Sequence, residues 1–245
     1  MVNTMLKIQT YPDYNAMSAA AAEMISMQIM QKPSSILGLA TGSTPEGMYS
    51  CLVSKFLRGQ IDFSGVTSVN LDEYYPITPD NAQSYRYFMN HNLFDHVNIN
   101  KGNTYVPDGT AADGAVEAGR YEALVESLGP VDIQVLGIGR NGHIGFNEPD
   151  SELIPETHVT ELADSTIEAN ARFFSSKEEV PTHALTMGIG TILKAKSILL
   201  LVSGKEKHDA LMRLLEGRVT TECPATLLLL HPNVTVLCDT EAYDG

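Results

Sequence analysis

The sequence predicts an α/β protein in which helices cover both faces of a parallel sheet. Segments with helical periodicity alternate with short strand-like segments along the chain, which is the pattern of such a sheet. The short segments are continuous apolar runs, as in strands that are buried on both faces. The 245 residues suit one large domain of this class or two small ones. Because the chain shows no internal repeat and no linker, we predict one domain over residues 1–245.

The N-terminal half begins with a strand and a long helix. The strand covers Lys7–Tyr11, and the helix covers about Asp13–Gln31, where apolar residues recur every three or four positions. A second helix, from Glu46 to about Leu57, follows Pro45, a residue that suits the first turn of a helix. The other elements predicted in this half are strands at Ser35–Ala40 and Val66–Leu71 and helices at about Ser84–Phe94 and Ala115–Leu128.

The C-terminal half continues the alternation. Residues 150 to 182 have the weakest periodicity and are predicted to form an inserted segment, a candidate lid over a binding site. A helix is predicted at Lys205–Glu216 and a short helix at Pro224–Leu230. The strands predicted in this half are Val131–Leu136, Ser197–Val202 and Val234–Cys238.

Composition and charge argue against several classes of function. The net charge of -14, from 16 basic and 30 acidic residues, argues against nucleic acid and an anionic membrane surface as partners. The three cysteines are odd in number and have no Cys-x-x-Cys spacing, so neither a disulfide framework nor a thiolate zinc site is indicated. We predict no bound metal, because no group of His, Cys and Asp has metal-ligand spacing. The N-terminus has no apolar signal segment, and we expect a cytoplasmic protein.

The loop Leu136–Pro149 contains the densest set of reactive side chains. Four glycines alternate there with Asn141, His143, Asn147 and Glu148. Glycine lets the backbone approach a ligand closely, and a histidine beside a carboxylate can act as a base. The loop is therefore a candidate active-site loop.

The same loop includes a Gly-x-Gly-x-x-Gly pattern, Gly137–Gly142, directly after a strand. This pattern binds dinucleotides only where the third glycine opens a helix. The residues that follow contain Gly145 and Pro149 and form a poor helix. We therefore predict that no dinucleotide cofactor binds here.

The segment Thr41-Gly42-Ser43-Thr44 follows a strand and precedes a helix. Backbone N–H groups and hydroxyls at a helix N-terminus bind phosphate well, with the alternative that Ser43 or Thr44 only caps the helix. The glycine spacing resembles a Walker A loop, but Met48-Tyr49 stand where Lys-Ser/Thr is required. The segment therefore predicts a site for a single phosphate rather than a nucleoside triphosphate.

Two further strand ends carry charged groups. Asp72 and Glu73 follow a strand and could supply a base, a helix cap or a solvated turn, and the residues alone do not choose between the two carboxylates. Lys205 and Lys207 lie at a helix start, where a lysine gains nothing from the helix dipole, so either could bind an anion. The alternative is an exposed basic pair. Ligands bind at the carboxyl ends of strands in such sheets, so we expect the strand ends that carry these polar and charged residues to lie close together. Together they indicate an enzyme that moves protons on a small phosphorylated molecule.

Five segments of the chain resemble the glucosamine-6-phosphate deaminase family, and they occur in family order over nearly the whole chain. The resemblance implies a Rossmann-like α/β fold shared with ribose-5-phosphate isomerase A and 6-phosphogluconolactonase. It also implies that glucosamine 6-phosphate and water are converted to fructose 6-phosphate and ammonia without a cofactor. The matching segments are Leu37–Pro45, Asn70–Tyr75, Gly137–Pro149, Ala184–Leu193 and Ser203–Lys207.

The resemblance also implies roles for individual residues. Asp72 matches the base that moves the proton during isomerisation, and His143 matches the group that opens the sugar ring. Glu148 and Asn141 match the residues that orient this histidine. The sequence departs from some members here, since they have Asp where Asn141 stands, and a neutral amide cannot stabilise imidazolium by charge. The implied phosphate site consists of Thr41, Gly42, Ser43 and Thr44 with the cations Arg172 and Lys207.

Two alternatives share this fold. One is a 6-phosphogluconolactonase, which would use the same phosphate site for hydrolysis. The other is a sugar-phosphate sensor without turnover, for which the chain offers no DNA-binding extension. The combination of Asn70–Tyr75 with the complete loop around His143 favours the deaminase. We expect a monomer, with a homo-oligomer as the alternative.

Overall fold

A computed structural model of the chain describes residues 6–162 and 180–245. Its largest element is a sheet of seven strands in which all neighbouring strands are parallel, in the order β1-β10-β9-β6-β2-β3-β5. These strands are β1 (Leu6–Tyr11), β2 (Ile36–Leu39), β3 (Thr67–Asn70), β5 (Thr104–Tyr105), β6 (Ile133–Gly137), β9 (Ile198–Val202) and β10 (Val234–Asp239).

The parallel sheet is buried on both faces, as its apolar strands predict. All five residues of β9 are buried, and its side chains alternate between two hydrophobic clusters. Leu199 and Leu201 belong to one cluster, and Leu200 and Val202 belong to the other. This alternation follows from the two-residue period of a strand. The predicted α/β arrangement with a covered parallel sheet is confirmed.

The helices largely follow the predicted positions. The predicted helix at Ser84–Phe94 is an α-helical turn followed by a π-helix at Asn90–Phe94, and the helix predicted from Lys205 begins with a 3₁₀ turn, Lys205–Lys207. Residues Pro224–Leu230 form a 3₁₀-helix. The α-helices are α1 (Tyr14–Gln31), α2 (Ser43–Leu57), α3 (Tyr85–Met89), α4 (Gly114–Leu128), α5 (Ile189–Ile192), α6 (His208–Leu215) and α7 (Thr240–Asp244).

The start of α2 differs from the prediction. The helix begins at Ser43 rather than Glu46, and its N-cap is Gly42, with no side-chain hydrogen bond. The expectation that Ser43 or Thr44 caps the helix is therefore wrong. Gly42 has φ 89°, a left-handed conformation that glycine adopts without strain.

A second, antiparallel sheet was not predicted. It contains β4 (Asp72–Tyr75), β8 (His183–Thr186) and β7 (His158–Glu161), with β8 in the centre. These strands are short and mostly polar, so they lack the apolar runs that reveal the strands of the main sheet. Asp72–Tyr75 was expected only as the residues after a strand, whereas the structure shows that they form one.

The segment predicted as a lid, residues 150–182, lies partly outside the described residues. The described part contains β7, and residues 163–179 are the part that is not described. No helix of the described ranges is long and apolar enough to cross a membrane.

The order of the strands creates a crevice at the carboxyl ends of β2 and β6. From β2 the chain proceeds outward through β3 and β5, and then returns to β6 and proceeds outward through β9 and β10. In an open parallel sheet, such a reversal of strand order leaves room for a ligand between the two diverging connections.

Candidate active site

A cavity of about 250 Å³ occupies this crevice. The segments that follow β2, β3, β6 and β9 all contribute to its wall, as expected for strand ends that meet at one edge of a parallel sheet. The lining residues are Ala40, Thr41, Gly42, Ser43, Thr44, Leu71, Asp72, Tyr85, Gly137, Ile138, Gly139, His143, Gly145, Phe146 and Lys207.

Of the two adjacent carboxylates, only Asp72 lines this cavity. Glu73 accepts hydrogen bonds from the Ser84 hydroxyl at 2.7 Å and from the backbone N–H groups of Tyr74, Tyr85 and Arg86 at 2.9, 2.8 and 3.0 Å. Two of these N–H groups belong to the first turn of α3, so Glu73 serves the helix N-terminus. This arrangement favours Asp72 as the base and gives Glu73 a structural role.

The environment of Asp72 makes it a stronger base than an ordinary aspartate. Its side chain is buried, and burial, followed by the charge of Glu73, raises the pKa of Asp72 to about 8. Both causes disfavour the charged form of the carboxyl group. A strongly perturbed carboxyl group in a cleft is typical of a catalytic position.

The glycines of the loop after β6 allow the ring of His143 to sit against the backbone. A Cβ atom on Gly139 would lie only 2.3–2.4 Å from the imidazole ring, so any larger residue would displace it. Gly142 has φ 89°, and a Cβ atom there would lie 2.3 Å from the Cys223 sulfur. The glycine spacing that resembles a dinucleotide fingerprint therefore accommodates His143 and Cys223, and residues 143–149 form no helix.

His143, Glu148 and Asn141 form one polar group. His143 Nδ1 lies 3.1 Å from Glu148 Oε1. Asn141 Nδ2 donates to Glu148 Oε2 at 2.7 Å, and its Oδ1 accepts from the His143 backbone N–H at 3.2 Å. Partial burial raises the pKa of Glu148, but the contact with His143 and the hydrogen bond from Asn141 lower it to a net value below the usual one.

The predicted phosphate segment lies in the cavity wall. Thr41, Gly42, Ser43 and Thr44 all line the cavity, and the last two begin α2. An uncapped helix N-terminus that faces a cavity presents free N–H groups and the positive end of the helix dipole. The segment can therefore bind an anion.

Lys207 supplies a cation to the same cavity, whereas Lys205 is exposed and does not line it. Burial lowers the pKa of Lys207, and the charges of Glu206 and Arg140 act in opposite directions on it. The residues directly before Lys205 are held by Asp239, which accepts hydrogen bonds from the Ser203 hydroxyl and the Gly204 N–H. Of the two lysines that the residues left open, Lys207 is the one near the site. Arg172, the second predicted cation, lies outside the described residues.

Sequence reasoning missed the aromatic part of the wall. Tyr85 and Phe146 line the cavity, and their rings stack with centroids 6.1 Å apart. Tyr85 lies in the segment Ser84–Phe94, which the sequence predicts only as a helix. Its position directly after Ser84, whose hydroxyl caps α3, would have placed it in the first turn, close to the strand end. Asn147, in contrast, is buried and donates to the carbonyl groups of Ile144 and Met187, so it holds the loop in shape.

The chain is similar to proteins of known activity. Residues 13–237 match the family of glucosamine-6-phosphate isomerases/6-phosphogluconolactonase. The glucosamine-6-phosphate deaminase of Thermoanaerobacter pseudethanolicus is 53% identical, with 97% of this chain and 94% of the relative covered. That of Clostridioides difficile is 55% identical, with 97% and 95% covered.

Comparison with solved structures leads to the same family and the same fold. A monomeric glucosamine-6-phosphate deaminase that is 48% identical has a TM-score of 0.93, with 96% of this chain and 98% of that chain covered. A 6-phosphogluconolactonase from Trypanosoma cruzi has a TM-score of 0.78 at 22% identity, with 96% and 95% covered, and shares the fold. The predicted fold class is confirmed by both. Since the family match and the relatives span nearly the whole chain, the protein belongs to the glucosamine-6-phosphate isomerase/6-phosphogluconolactonase family.

Proposed function

We propose that this protein is a glucosamine-6-phosphate deaminase, which converts glucosamine 6-phosphate and water to fructose 6-phosphate and ammonia. The relatives at 53% and 55% identity carry this name. The observation that carries the proposal is that Asp72 and His143 line one cavity together with Lys207 and the uncapped N-terminus of α2. A base, a proton shuttle and an anion site are the groups that this reaction requires.

His143 is proposed to open the sugar ring. Its imidazole accepts the proton of the ring hydroxyl and delivers a proton to the ring oxygen, which releases the open-chain aldehyde. An imidazole suits this exchange because it can both accept and donate a proton near neutral pH. Glu148 contacts His143, and Asn141 donates a hydrogen bond to Glu148. These contacts support a role for Glu148 and Asn141 in orienting His143.

Asp72 is proposed to carry out the isomerisation. The ionised carboxylate takes the proton from the carbon that bears the amine and returns it to the neighbouring carbon through an enolamine. The resulting ketimine adds water and loses ammonia, so the reaction needs no external oxidant or reductant. The high pKa of Asp72, about 8, makes it a strong base, and the ammonium group of the bound amino sugar favours its ionised form.

The phosphate of the substrate is proposed to lie at Thr41–Thr44, with Lys207 and Arg172 as cations. The position of Thr41–Thr44 and Lys207 in the cavity wall supports this assignment. Binding at this end of the sugar fixes the distance between its reacting carbons and Asp72. Such positioning is a large part of enzymatic rate enhancement.

The test is the release of ammonia from glucosamine 6-phosphate by the purified protein without added metal or cofactor. Hydrolysis of 6-phosphogluconolactone is measured in parallel, because solved structures named 6-phosphogluconolactonase share the fold at 20% and 22% identity. Ammonia release with no lactone hydrolysis is the expected result. Lactone hydrolysis alone, or binding without turnover, would replace the proposal by one of the two alternatives.

Three further features belong to the proposal. A monomer is supported by the similarity to a monomeric deaminase, and light scattering that gives a mass well above that of one chain would contradict it. A cytoplasmic location is supported by the three free thiols, since disulfides are rare in reducing compartments. One domain over residues 1–245, with a lid within residues 150–182, is supported by the pairing of β7 with β8, the strand that also pairs with β4 and its Asp72.

A further inference from the structure

The first turn of α2 has no capping side chain of its own. Its N-cap is Gly42, and its third residue, Pro45, has no N–H. The free N–H groups at this helix end are therefore those of Gly42, Ser43 and Thr44, for which no acceptor is found within residues 6–162 and 180–245. Their spacing and direction depend on how rigidly the first turn is held.

The hydroxyl of Tyr14 bridges this turn from outside the helix. It donates to the carbonyl oxygen of Ser43 at 2.9 Å and accepts from the backbone N–H of Gly47 at 2.8 Å. A regular α-helix joins these two groups directly, the carbonyl of one residue to the N–H of the fourth residue after it. The tyrosine therefore links both ends of the turn that contains Ser43 and Thr44 to a second helix.

The surroundings of Tyr14 hold its ring in place. Tyr14 is the first residue of α1, whose N-cap Asp13 accepts a hydrogen bond from the Ala16 N–H at 2.8 Å. A Cβ atom on Gly47 would lie 3.0 Å from Tyr14 Cε1 and 2.5 Å from Ser18 Oγ, so the close approach of α1 requires a glycine there. A residue far from Asp72 in the sequence thus shapes one wall of the cavity.

A second tyrosine anchors the other end of the same segment. The buried hydroxyl of Tyr49 donates to the carbonyl oxygen of Ala40 at 2.5 Å, at the point where β2 ends. The segment from Ala40 to Gly47 is therefore held at its start by Tyr49 and across the helical turn by Tyr14. Neither hydroxyl lines the cavity.

We propose that Tyr14 is a positioning residue for phosphate recognition: its hydroxyl holds the first turn of α2 so that the free N–H groups face the bound phosphate. This inference rests on the proposed function, because it assigns Tyr14 to the phosphate end of that same site. The hydroxyl contributes no contact to the reacting carbons. Its loss should therefore weaken binding of the phosphate without slowing proton transfer by Asp72 or His143.

The test is Tyr14→Phe, which removes only the hydroxyl. A net hydrogen-bond contribution corresponds to about a three- to tenfold effect, so KM for glucosamine 6-phosphate should rise by about that factor with kcat nearly unchanged. The apparent Kd for inorganic phosphate, from the dependence of the melting temperature on phosphate concentration, should rise by the same factor. A purely structural defect would lower the melting temperature without changing either constant.

Tyr11→Phe is the matched control. Tyr11 also lies beside the start of α1, but its hydroxyl donates to the exposed Gln9 side chain at 2.7 Å, and the variant should leave both constants unchanged. Gly47→Ala tests the same bridge from the other side, because the added methyl group would push against the Tyr14 ring. It should also raise KM, and the double variant should show less than the product of the two single effects.

The outcomes separate this inference from the proposed function. If Tyr14→Phe binds inorganic phosphate as tightly as the parent, or lowers kcat at unchanged KM, Tyr14 does not position the phosphate site. If the parent itself does not bind inorganic phosphate, the inference also fails. If the parent binds phosphate more tightly than Tyr14→Phe but releases no ammonia, the inference stands and the proposed function is wrong.

Discussion

Asp72 and Glu73 are neighbours in β4, but their carboxyl groups lie on different sides of the strand. Asp72 lines the cavity, and Glu73 accepts four hydrogen bonds at and around the N-terminus of α3. Successive side chains of a strand point to opposite faces, so the two carboxylates cannot share one role. Two residues that residue type and position alone leave equivalent are therefore given different roles by the strand that contains them.

Asp72→Asn should abolish turnover while phosphate binding is retained. Loss of a general base normally lowers kcat on the order of 100-fold or more. The measurement is ammonia release, together with the melting temperature at increasing concentrations of inorganic phosphate. A near-normal rate in Asp72→Asn would move the base to another residue, with Glu73 as the next candidate.

Glu73→Gln is the matched comparison, and its expected effect is on stability. An amide cannot accept from all four donors, and an unsatisfied buried group costs about 1–3 kcal/mol. For a chain of this size each kcal/mol lowers the melting temperature by about 2–4 °C. At a temperature where the variant is folded, most of kcat should remain. Complete loss of activity in the folded variant would contradict the structural role of Glu73.

Asp72 should make the protein less stable as the pH rises. Its pKa is about 8 in the folded protein and near 3.8 when unfolded, so the folded state retains the proton between these values. The contribution of Asp72 to the free energy of unfolding therefore decreases between about pH 4 and pH 8 and stays at its lowest value above that range. Asp72→Asn removes this effect, and its gain in melting temperature over the parent should be larger at about pH 9 than at about pH 5.5. Equal gains at both pH values would show that the Asp72 pKa is not raised.

His143→Gln should greatly lower kcat with the closed pyranose form of the substrate. The variant retains much of the side-chain shape but cannot shuttle a proton, so it depends on the small open-chain fraction in solution. Isomerisation at Asp72 should persist. The measurement is proton exchange beside the carbonyl of fructose 6-phosphate in the presence of ammonium. If His143→Gln loses this exchange as fully as Asp72→Asn does, His143 is not a dedicated ring-opening residue.

Asn141→Asp should shift the acid limb of the pH–rate profile to higher pH. The hydrogen bond from Asn141 to Glu148 helps to lower the Glu148 pKa, and a second carboxylate would replace this donor by repulsion. Glu148 would then become ionised only at higher pH. Asn141→Ala removes the donor without adding charge, so its shift should be smaller and in the same direction. An unchanged pH–rate profile in both variants would show that Asn141 does not influence the ionisation of the catalytic residues.

Lys207→Ala should raise KM for the phosphorylated sugar by about 10- to 100-fold, as expected for a lost charge-assisted hydrogen bond. Lys205→Ala is the control, because Lys205 is exposed and does not line the cavity. Arg172→Ala should raise KM in the same way as Lys207→Ala. Normal affinity in both the Lys207 and the Arg172 variants would mean that the phosphate site is elsewhere.

The sequence by itself determined six of the seven strands of the parallel sheet and most of the helices, whereas the two-residue edge strand β5 was not recognised. Strands such as β9 are buried on both faces, so their residues are apolar throughout and recognisable in isolation. The antiparallel sheet could not be recognised, because β4 and β7 are short and polar and are stable only beside β8. For such strands the pairing, and not the local composition, decides the structure.

For the candidate site, too, some features follow from the local sequence and others only from the tertiary structure. The loop around His143, the segment Thr41–Thr44 and the carboxylates at 72 and 73 could be identified from residue type and position after strands. The tertiary structure was needed to choose Asp72 over Glu73 and Lys207 over Lys205 on physical grounds. It was also needed to find the contacts of Tyr14 and Tyr85 with the site. Residues that are neighbours in the chain have the same local sequence context. The burial of a side chain, the site that it faces and its long-range hydrogen bonds are decided only when distant segments pack together.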